Sequence, residues 1–393
     1  ESDESRSQQA KEWGQWAIQR AGGARLRPAF KVPSESSTAL RVGFVSADIC
    51  QHTVGLLVKD VLQVLNRQLI DPIVYSARTI KDWVYEQVSS SCPVVDVSGL
   101  NDIALAKRIQ TDGIDILVDL SGHTAGSMLT AFAYRPAPVQ VSWLGYFAST
   151  GLPCMDAVLL DEGHVTEATQ SLFTEDIISL PQGRWCYQPV PWAPNEVAPS
   201  PHVHKRHITF GSFNNTAKLN DELLDVWTDV LKAVPNSRLI LKWRTFNDED
   251  FKAKITASFE ERDIEASRIE LRGPSFHNAL LNEYADIDIA LDPFPFTGGL
   301  TSCEALWMGV PVITWPQSRV VSRQTFSILQ QIGLPELAAA DAQGYVRMAT
   351  QLANDSLRLV QLRQTLRYRM RLSPLMDVPL FTKSLETTLI DLF

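Results

Sequence analysis

The sequence predicts an α/β protein with two doubly wound parallel-sheet domains, preceded by a helical lead-in and ending in further helices. Short apolar runs alternate with longer amphipathic stretches from residue 40 to residue 180, and again from residue 208 onward. A proline-rich passage that suits neither a helix nor a central strand separates the two series. The 393 residues, 45% of them hydrophobic, are enough for two sizeable cores.

The first series follows a lead-in, residues 1–38, whose Trp13 and Trp16 lie in a predicted helix before the helix-breaking Pro28 and Pro33. Residues 39–180 form the first predicted domain. Its strands are expected at 40–45, 72–75, 94–97, 114–120, 139–144, 157–160 and 177–180, and its helices at 56–66, 83–90 and 102–111. This alternation predicts a parallel, Rossmann-like sheet.

Residues 181–205 contain six prolines and form the predicted linker. In the second domain, residues 206–393, strands are expected at 208–210, 239–242, 269–271, 287–291 and 312–314, and helices at 221–234, 251–262 and 278–285. Apolar residues at helical spacing in the tail, 340–393, predict helices there. Two Rossmann-like domains would face a cleft that can enclose a ligand.

Composition excludes several classes of protein. A net charge of -9 without a basic run argues against a nucleic-acid partner. No apolar stretch is long enough to span a bilayer, and no signal peptide is recognisable, so we expect no membrane insertion. Five scattered cysteines indicate reduced thiols and a cytoplasmic location. The absence of methionine at Glu1 suggests a piece of a longer protein.

A strand that ends at two glycines and restarts as a helix is the most informative feature. Gly298 and Gly299 let the backbone approach a ligand closely. The amides of Leu300, Thr301 and Ser302 would then lie at the positive end of the helix, where a diphosphate binds well. The alternative is a simple tight turn, but the strand at 312–314 completes a βαβ unit whose strand ends line a ligand crevice.

Glu304 lies one helical turn beyond these amides and could accept hydrogen bonds from ribose hydroxyls. Together with a diphosphate at the helix start, this carboxylate indicates a nucleotide ligand.

Three further side chains are expected at the cleft. His52 and His123 each follow a predicted strand of the first domain, where neutral imidazoles could orient sugar hydroxyls or carry a proton. Lys218 follows the first strand of the second domain, opposite the glycine loop, and could neutralise a diphosphate and stabilise a leaving group. Too few further ligands accompany the histidines for a metal site.

Four segments carry a family resemblance: 40–46 (Leu-Arg-Val-Gly-Phe-Val-Ser), 135–140 (Arg-Pro-Ala-Pro-Val-Gln) with Trp-Leu-Gly at 143–145, Phe213-Asn214 with Lys218, and 303–311 (Cys-Glu-Ala-Leu-Trp-Met-Gly-Val-Pro). Here the chain resembles the catalytic region of the O-linked N-acetylglucosamine transferases and their bacterial and Spindly-like relatives. These are inverting glycosyltransferases of GT-B architecture. The resemblance implies a UDP-GlcNAc donor, an acceptor protein modified at Ser or Thr hydroxyls, and no metal or other cofactor.

The resemblance also implies roles for individual residues. Lys218 is expected at the diphosphate, Glu304 at the ribose, and His277 with the rest of segment 272–277 beside the base. His52 and His123 are expected to line the sugar and acceptor side, and which of them acts as a base is left open. The expected donor-binding residues are Asn215, Arg272, His277, Gly298, Gly299, Leu300, Thr301, Ser302 and Glu304.

The chain also departs from the animal enzymes of this family. Those enzymes have Gly-His-Thr-Thr where this chain has Gly298-Gly299-Leu300-Thr301, so we expect backbone amides to do more of the phosphate binding. They have glutamine in place of Asn215 and a longer spacer between the domains. The layout is therefore the bacterial type, and residues 1–38 could be the last helix of a tetratricopeptide array.

Three alternatives stay open at the level of the sequence. The donor could instead be GDP-fucose, as in Spindly-like relatives, or UDP-glucose. A UDP-sugar epimerase would need carboxylates around the sugar, where this chain offers histidines. A non-catalytic binding scaffold predicts loss of Lys218 or of the glycine loop, and both are present.

Overall fold

The computed structural model describes residues 3–25, 28, 39–78 and 80–393. The rest of the predicted lead-in, including Pro33, lies outside the described residues. The described residues form two compact units, the first made of those within 1–188 together with 374–393, and the second of residues 189–373.

The first unit is built on a seven-stranded parallel sheet in the order β3-β2-β1-β4-β5-β6-β7. Its elements up to residue 179 are α1 (Asp3–Arg20), β1 (Leu40–Ser46), α2 (Thr53–Val64), β2 (Ile70–Ser76), α3 (Trp83–Ser91), β3 (Val94–Asp96), α4 (Asp102–Asp112), β4 (Ile116–Asp119), α5 (Leu129–Phe132), β5 (Val139–Ser142), β6 (Ala157–Leu160) and β7 (Asp176–Ser179). Strands β4, β5 and β6 are buried along their whole length, because helices cover both faces of a parallel sheet and every residue must be apolar or paired.

The second unit contains a five-stranded parallel sheet in the order β10-β9-β8-β11-β12. Its elements are α6 (His202–Lys205), β8 (Thr209–Ser212), α7 (Asp221–Ala233), β9 (Arg238–Lys242), α8 (Glu249–Glu260), β10 (Ile269–Arg272), α9 (His277–Glu283), β11 (Ile289–Leu291), α10 (Leu300–Trp307), β12 (Val312–Ile313), α11 (Gln324–Gln331), α12 (Ala342–Asn354) and α13 (Ser356–Arg371). Side-chain caps begin several of these helices; Asn220 caps α7 and Asp248 caps α8.

The predicted α/β class with two doubly wound parallel sheets is confirmed, and each predicted strand is present with ends that differ by at most two residues. The position of the last helix, α14 (Val378–Leu392), differs from the sequence prediction, which placed residues 206–393 together in the second domain. It packs in the first unit against α2, and Phe381 stacks on Trp143 with ring centroids 6.2 Å apart. Helical spacing shows which face of a helix is buried but not which partner buries it.

The strand order fixes where ligand sites can form. In the first sheet the order reverses between β1 and β4, and in the second sheet it reverses between β8 and β11. Open α/β sheets bind ligands beyond the carboxyl ends of the strands at such a reversal, because the flanking loops diverge there and leave a crevice. A ligand site is therefore expected in the loops that follow these four strands.

Candidate functional site

The loop after β8 supplies two amides and an ammonium group. Asn215 accepts a hydrogen bond from the amide of Ala217 (3.0 Å) and so caps the 3₁₀ turn that carries Lys218. The Nζ of Lys218 donates to Oδ1 of Asn214 (3.0 Å) and to the carbonyl of Thr297 (2.9 Å). Thr297 directly precedes the glycine loop, so the ammonium lies beside that loop, as the sequence predicted.

The environment of Lys218 is only partly polar. Its Nζ lies 4.6 Å from the ring centroid of Phe296, within the range of a cation–π contact. Burial lowers the pKa of Lys218 to about 8, against the opposing effect of Asp292. A partly desolvated ammonium that keeps its charge at neutral pH interacts with an anion more strongly than a solvated one, because little water screens it.

The loop after β11 is held by a buried carboxylate. Asp292 accepts hydrogen bonds from the amide of Gly298 (2.6 Å) and from the hydroxyl of Thr314 (2.7 Å). A Cβ on Gly298 would lie 2.2 Å from Oγ of Ser302 and 3.0 Å from the Asp292 carboxylate, so any larger residue would force the Ser302 hydroxyl to move. The packing of the loop itself therefore favours glycine at Gly298.

Helix α10 begins directly after this loop. Gly299 is its N-cap residue, and the first intrahelical hydrogen bond runs from the amide of Cys303 to the carbonyl of Gly299 (3.1 Å). The amides of Leu300, Thr301 and Ser302 precede that bond and form the positive end of the helix. This is the arrangement that the sequence predicted for a phosphate group.

Asn214 joins the two loops. Its Oδ1 accepts hydrogen bonds from Nζ of Lys218 and from Oγ1 of Thr301 (3.0 Å), so one amide oxygen connects the turn after β8 to the first turn of α10. Tyr284 also contacts the first turn of α10, because its hydroxyl donates to the carbonyl of Thr301 (3.3 Å). The ring of Tyr284 packs against Phe213. The ammonium and the helix start are thus fixed relative to each other.

Glu304 and His277 form a pair at the far side of α10. Their closest atoms, Oε1 and Nε2, are 2.7 Å apart, and Glu304 is nearly buried. The hydrogen bond to Glu304 raises the pKa of His277, with burial acting in the opposite direction. The ring of Trp192 meets His277 edge to face, with centroids 5.9 Å apart. A carboxylate, an imidazole and an indole therefore lie together next to the helix start.

Arg272 does not join this group. Its guanidinium donates to Glu270 (2.7 Å), Asp286 (2.9 Å) and Glu283 (3.3 Å). Three carboxylates around one guanidinium give a structural ion-pair network, so the sequence-based role of Arg272 in donor binding stays a prediction that these contacts do not favour. The same holds for Asn215, whose amide oxygen caps a turn while its neighbour Asn214 makes the contacts between loops.

The two predicted histidines lie in the first unit, after β1 and β4. His52 is the N-cap of α2, where its Nδ1 accepts a long hydrogen bond from the amide of Val54 (3.4 Å). His123 follows β4, and its Nε2 lies 2.8 Å from the carbonyl of Thr150. Because β1 and β4 are paired neighbours, both histidines extend from the same edge of the sheet, at the point where the strand order reverses.

A buried carboxylate shapes the loop that carries His123. Asp119 accepts hydrogen bonds from the amides of Gly122 (2.7 Å) and Ser121 (3.2 Å). Burial raises the pKa of Asp119 to about 6, although the two amides lower it. Asp292 in the second unit likewise accepts a hydrogen bond from the amide of Gly298, so in each unit a buried aspartate at a strand end holds the loop that carries predicted site residues.

Among the described residues, no group of three or more His, Cys, Asp or Glu side chains could hold a metal ion. The predicted independence of metal and cofactor stays a prediction. In the same part of the chain, no helix is both long and apolar enough to cross a membrane.

Comparison with known proteins identifies the family. The model of glycosyl transferase family 41 matches residues 2–185 and 202–385, which is nearly the whole chain. The chain belongs to glycosyl transferase family 41. The family resemblance predicted from the sequence is thereby confirmed.

Named relatives in the family agree with this. The chain is 36% identical over 90% of its length to the Spindly protein of Hordeum vulgare, and 41% identical over 75% of its length to that of Eustoma exaltatum subsp. russellianum. Both are named as probable UDP-N-acetylglucosamine–peptide N-acetylglucosaminyltransferases. The chain spans 38% and 32% of these two relatives' own lengths.

A solved family structure matches the whole chain. A mutant of the O-GlcNAc transferase of Thermobaculum terrenum superposes with a TM-score of 0.94 at 32% identity, covering 100% of this chain and 74% of that one. Two Rossmann-like parallel-sheet units with surrounding helices are the GT-B architecture, as the sequence predicted.

Three residues that organise the candidate site were not predicted from the sequence: Asn214, Tyr284 and Asp292. Asn214 lies in the motif that carries the resemblance, but the resemblance implies a donor contact for the adjacent Asn215. Asp292 directly follows a buried strand, and a carboxylate in that position signals loop capping. Tyr284 had no sequence signal, because its hydroxyl reaches Thr301 only through the fold.

Proposed function

We propose that this chain is the catalytic region of a protein glycosyltransferase that moves N-acetylglucosamine from UDP-GlcNAc to Ser or Thr hydroxyls of an acceptor protein. One observation carries the proposal. At the strand-order reversal of the second unit, the Lys218 ammonium, the start of α10 and the Glu304 carboxylate come together in a family 41 chain. These are the groups needed for a diphosphate and an adjoining ribose.

The second unit has the donors that stabilise a leaving group. In an inverting transfer the acceptor oxygen bonds to the anomeric carbon from one face. The bond between that carbon and the diphosphate oxygen breaks on the other face, and the diphosphate keeps the electron pair. Its growing negative charge would lie between Lys218 and the amides of Leu300, Thr301 and Ser302, which are already oriented before the reaction. No metal is required by this proposal.

The proton of the acceptor hydroxyl must leave as the new bond forms, and the two histidines differ in how they could accept it. A backbone carbonyl only accepts, so the proton of neutral His123 lies on Nε2 and the lone pair on Nδ1. In His52, by contrast, Nδ1 is the atom that accepts from the backbone. These contacts favour His123 over His52 as a proton acceptor at the acceptor side.

The donor sugar is the main alternative within this function. The resemblance to Spindly-like relatives leaves GDP-fucose open as the donor, and the chain is similar to two Spindly proteins. The names of these relatives and of the bacterial structure support N-acetylglucosamine. We also infer a cytoplasmic location, which the scattered and buried positions of the five cysteines support. A tetratricopeptide origin for helix α1 stays a prediction.

The proposal is tested by incubating the protein with a library of Ser- and Thr-containing peptides and, in turn, UDP-GlcNAc, UDP-glucose and GDP-fucose. Mass spectrometry would detect sugar on the peptides, and a coupled assay would measure release of UDP or GDP. Transfer of N-acetylhexosamine from UDP-GlcNAc supports the proposal. Transfer of fucose from GDP-fucose alone would replace the donor, and nucleotide release without any modified peptide would contradict protein glycosylation.

A further inference from the structure

His123 lies in an exposed loop, and three contacts nevertheless fix its ring. Its Nε2 bonds to the carbonyl of Thr150 (2.8 Å). Tyr146, in the loop after β5, meets the imidazole edge to face with centroids 5.3 Å apart. Trp13 meets it at 4.4 Å with an interplanar angle of 86°. The last contact comes from helix α1, more than a hundred residues earlier in the chain.

Helix α1 is itself held firmly against this loop. A Cβ on Gly14 would lie 1.8 Å from the carbonyl oxygen of Gly151, and a Cβ on Gly151 would lie 1.9 Å from the carbonyl oxygen of Ala10. The two backbones therefore touch, and Gly151 also has φ +74°, which glycine adopts without strain. Ser7 adds a hydrogen bond from its hydroxyl to the carbonyl of Leu172 (3.0 Å).

The docking point of α1 and the anchor of His123 belong to one short loop. Thr150, whose carbonyl accepts from His123, directly precedes Gly151, on which the helix rests. The position of Trp13 is thus set by the same backbone that sets the hydrogen bond of His123. The imidazole is enclosed on one side by Trp13 and on another by Tyr146.

We propose that Trp13 is a positioning residue for His123. By closing one side of the imidazole, it keeps the Nε2–H on the Thr150 carbonyl and holds the Nδ1 lone pair in a constant direction. The χ2 rotation of a histidine ring is otherwise broad and weakly restrained. The proposal rests on the proposed function for what His123 does in sugar transfer, but the state of the ring can be measured without any reaction.

The size of the expected effect follows from the edge-to-face contact between Trp13 and His123. An edge-to-face aromatic pair changes a conformational equilibrium by about 2- to 12-fold. Loss of the Trp13 ring should therefore turn one dominant ring state into a mixture and lower turnover by a similar factor. Because Trp13 lies in the first unit, we expect donor binding by the second unit to remain unchanged.

The test compares Trp13→Ala and Trp13→Phe with Trp16→Ala as a matched control. Trp16 is on the same helix and 47% exposed, and its ring contacts Trp13 and the guanidinium of Arg20. Side-chain ¹⁵N NMR, with the His123 signal assigned by its loss in His123→Gln, would report the tautomer. We expect the Nε2–H form in wild type, Trp16→Ala and Trp13→Phe, and a mixture of both tautomers in Trp13→Ala.

Kinetics and folding complete the test. Trp13→Ala should lower kcat and change its pH profile, whereas UDP affinity and the donor KM should stay at the wild-type value. Thermal unfolding, rather than UDP binding by the second unit, would show that the first unit of the variant is folded. An unchanged tautomer together with an unchanged kcat profile in Trp13→Ala would overturn the proposal. If the wild-type protein transfers no sugar, the proposed function fails, and the NMR result alone still decides whether Trp13 positions His123.

Discussion

Replacing Lys218 with methionine should lower turnover and raise stability at the same time. Removal of one preorganised donor to a developing negative charge typically costs about 10²–10³ in rate, or about 3–4 kcal/mol. We expect this loss in kcat, with a smaller loss in affinity for UDP, because the charge on the diphosphate is greatest as the sugar leaves. Lys218 makes both of its hydrogen bonds within the loops that would hold the diphosphate.

The gain in stability follows from the desolvation of the ammonium. Burial lowers the pKa of Lys218 from the ordinary value of 10.5 to about 8, so the folded state disfavours the charged form. At 1.36 kcal/mol per pH unit, this difference corresponds to at most about 3 kcal/mol at neutral pH. Loss of two hydrogen bonds, each contributing about 1 kcal/mol, leaves a net stabilisation of about 1 kcal/mol for Lys218→Met.

The same charge predicts a pH dependence. Lys218 must be protonated to stabilise an anion. The kcat/KM of the wild-type protein should therefore have its maximum value well below pH 8 and fall as the pH rises through about 8. The assays are initial-rate kinetics from pH 6 to 9 and thermal unfolding of both proteins. Lys232→Ala is the control, because that lysine is exposed and pairs only weakly with Asp263 at 3.4 Å.

The outcome that refutes this reasoning is specific. If Lys218→Met keeps turnover within about threefold of wild type, Lys218 does not stabilise the leaving group. If the substitution instead lowers both stability and turnover, the loss reflects a disturbed loop rather than a missing charge, and the electrostatic argument fails.

Three further predictions concern the same unit. Gly298→Ala should weaken UDP binding at least tenfold and destabilise the unit by about 1–3 kcal/mol, because the new Cβ would lie 2.2 Å from Oγ of Ser302; calorimetry and chemical denaturation measure the two effects. His277→Gln should make stability less dependent on pH. The hydrogen bond to Glu304 raises the pKa of His277 above 6.5, so the pair stabilises the fold fully below pH 6.5 and loses that contribution as the pH rises through the raised value; melting temperatures from pH 5 to 9 test this. Arg272→Met should lower stability but leave UDP affinity within about twofold, since its guanidinium is already bound by three carboxylates; the two are measured by denaturation and calorimetry.

Each of these predictions has a control or a contradicting result. Gly99→Ala serves as the control for Gly298, because nothing lies within 4 Å of its added Cβ. Equal slopes of melting temperature against pH in wild type and His277→Gln would mean that the pair with Glu304 does not form in solution. A tenfold loss of UDP affinity in Arg272→Met would restore the donor-binding role predicted from the sequence.

The sequence predicted the fold well because parallel sheets have a strong local signal. Strands such as β4 and β5 are buried on both faces and appear as mostly apolar runs, and predicted helices such as α7 and α8 begin at side-chain caps. The placement of α14 could not be predicted in this way. Its apolar face identifies a buried helix, but the choice of α2 as its partner depends on the closed fold.

The site was predictable where function requires a backbone conformation, and less so where it requires a tertiary contact. Gly298 and the start of α10 follow from the chain order of strand, glycines and helix. The contacts of Asn214 with Thr301 and of Trp13 with His123 join residues that are distant in sequence. The contact with Lys218 is made by Asn214, whereas the sequence predicted a role for the adjacent Asn215. Arg272 was a plausible anion contact by residue type, and only the fold shows its three carboxylate partners.

Isothermal titration calorimetry of UDP and GDP with the wild-type protein and Lys218→Met tests the central claim most directly. The account predicts that UDP binds with at least tenfold preference over GDP, and that Lys218→Met weakens UDP binding while leaving the protein folded. Preference for GDP would move the donor assignment to a GDP-sugar. Absence of binding by either nucleotide to the folded wild-type protein would contradict the proposed nucleotide-sugar site.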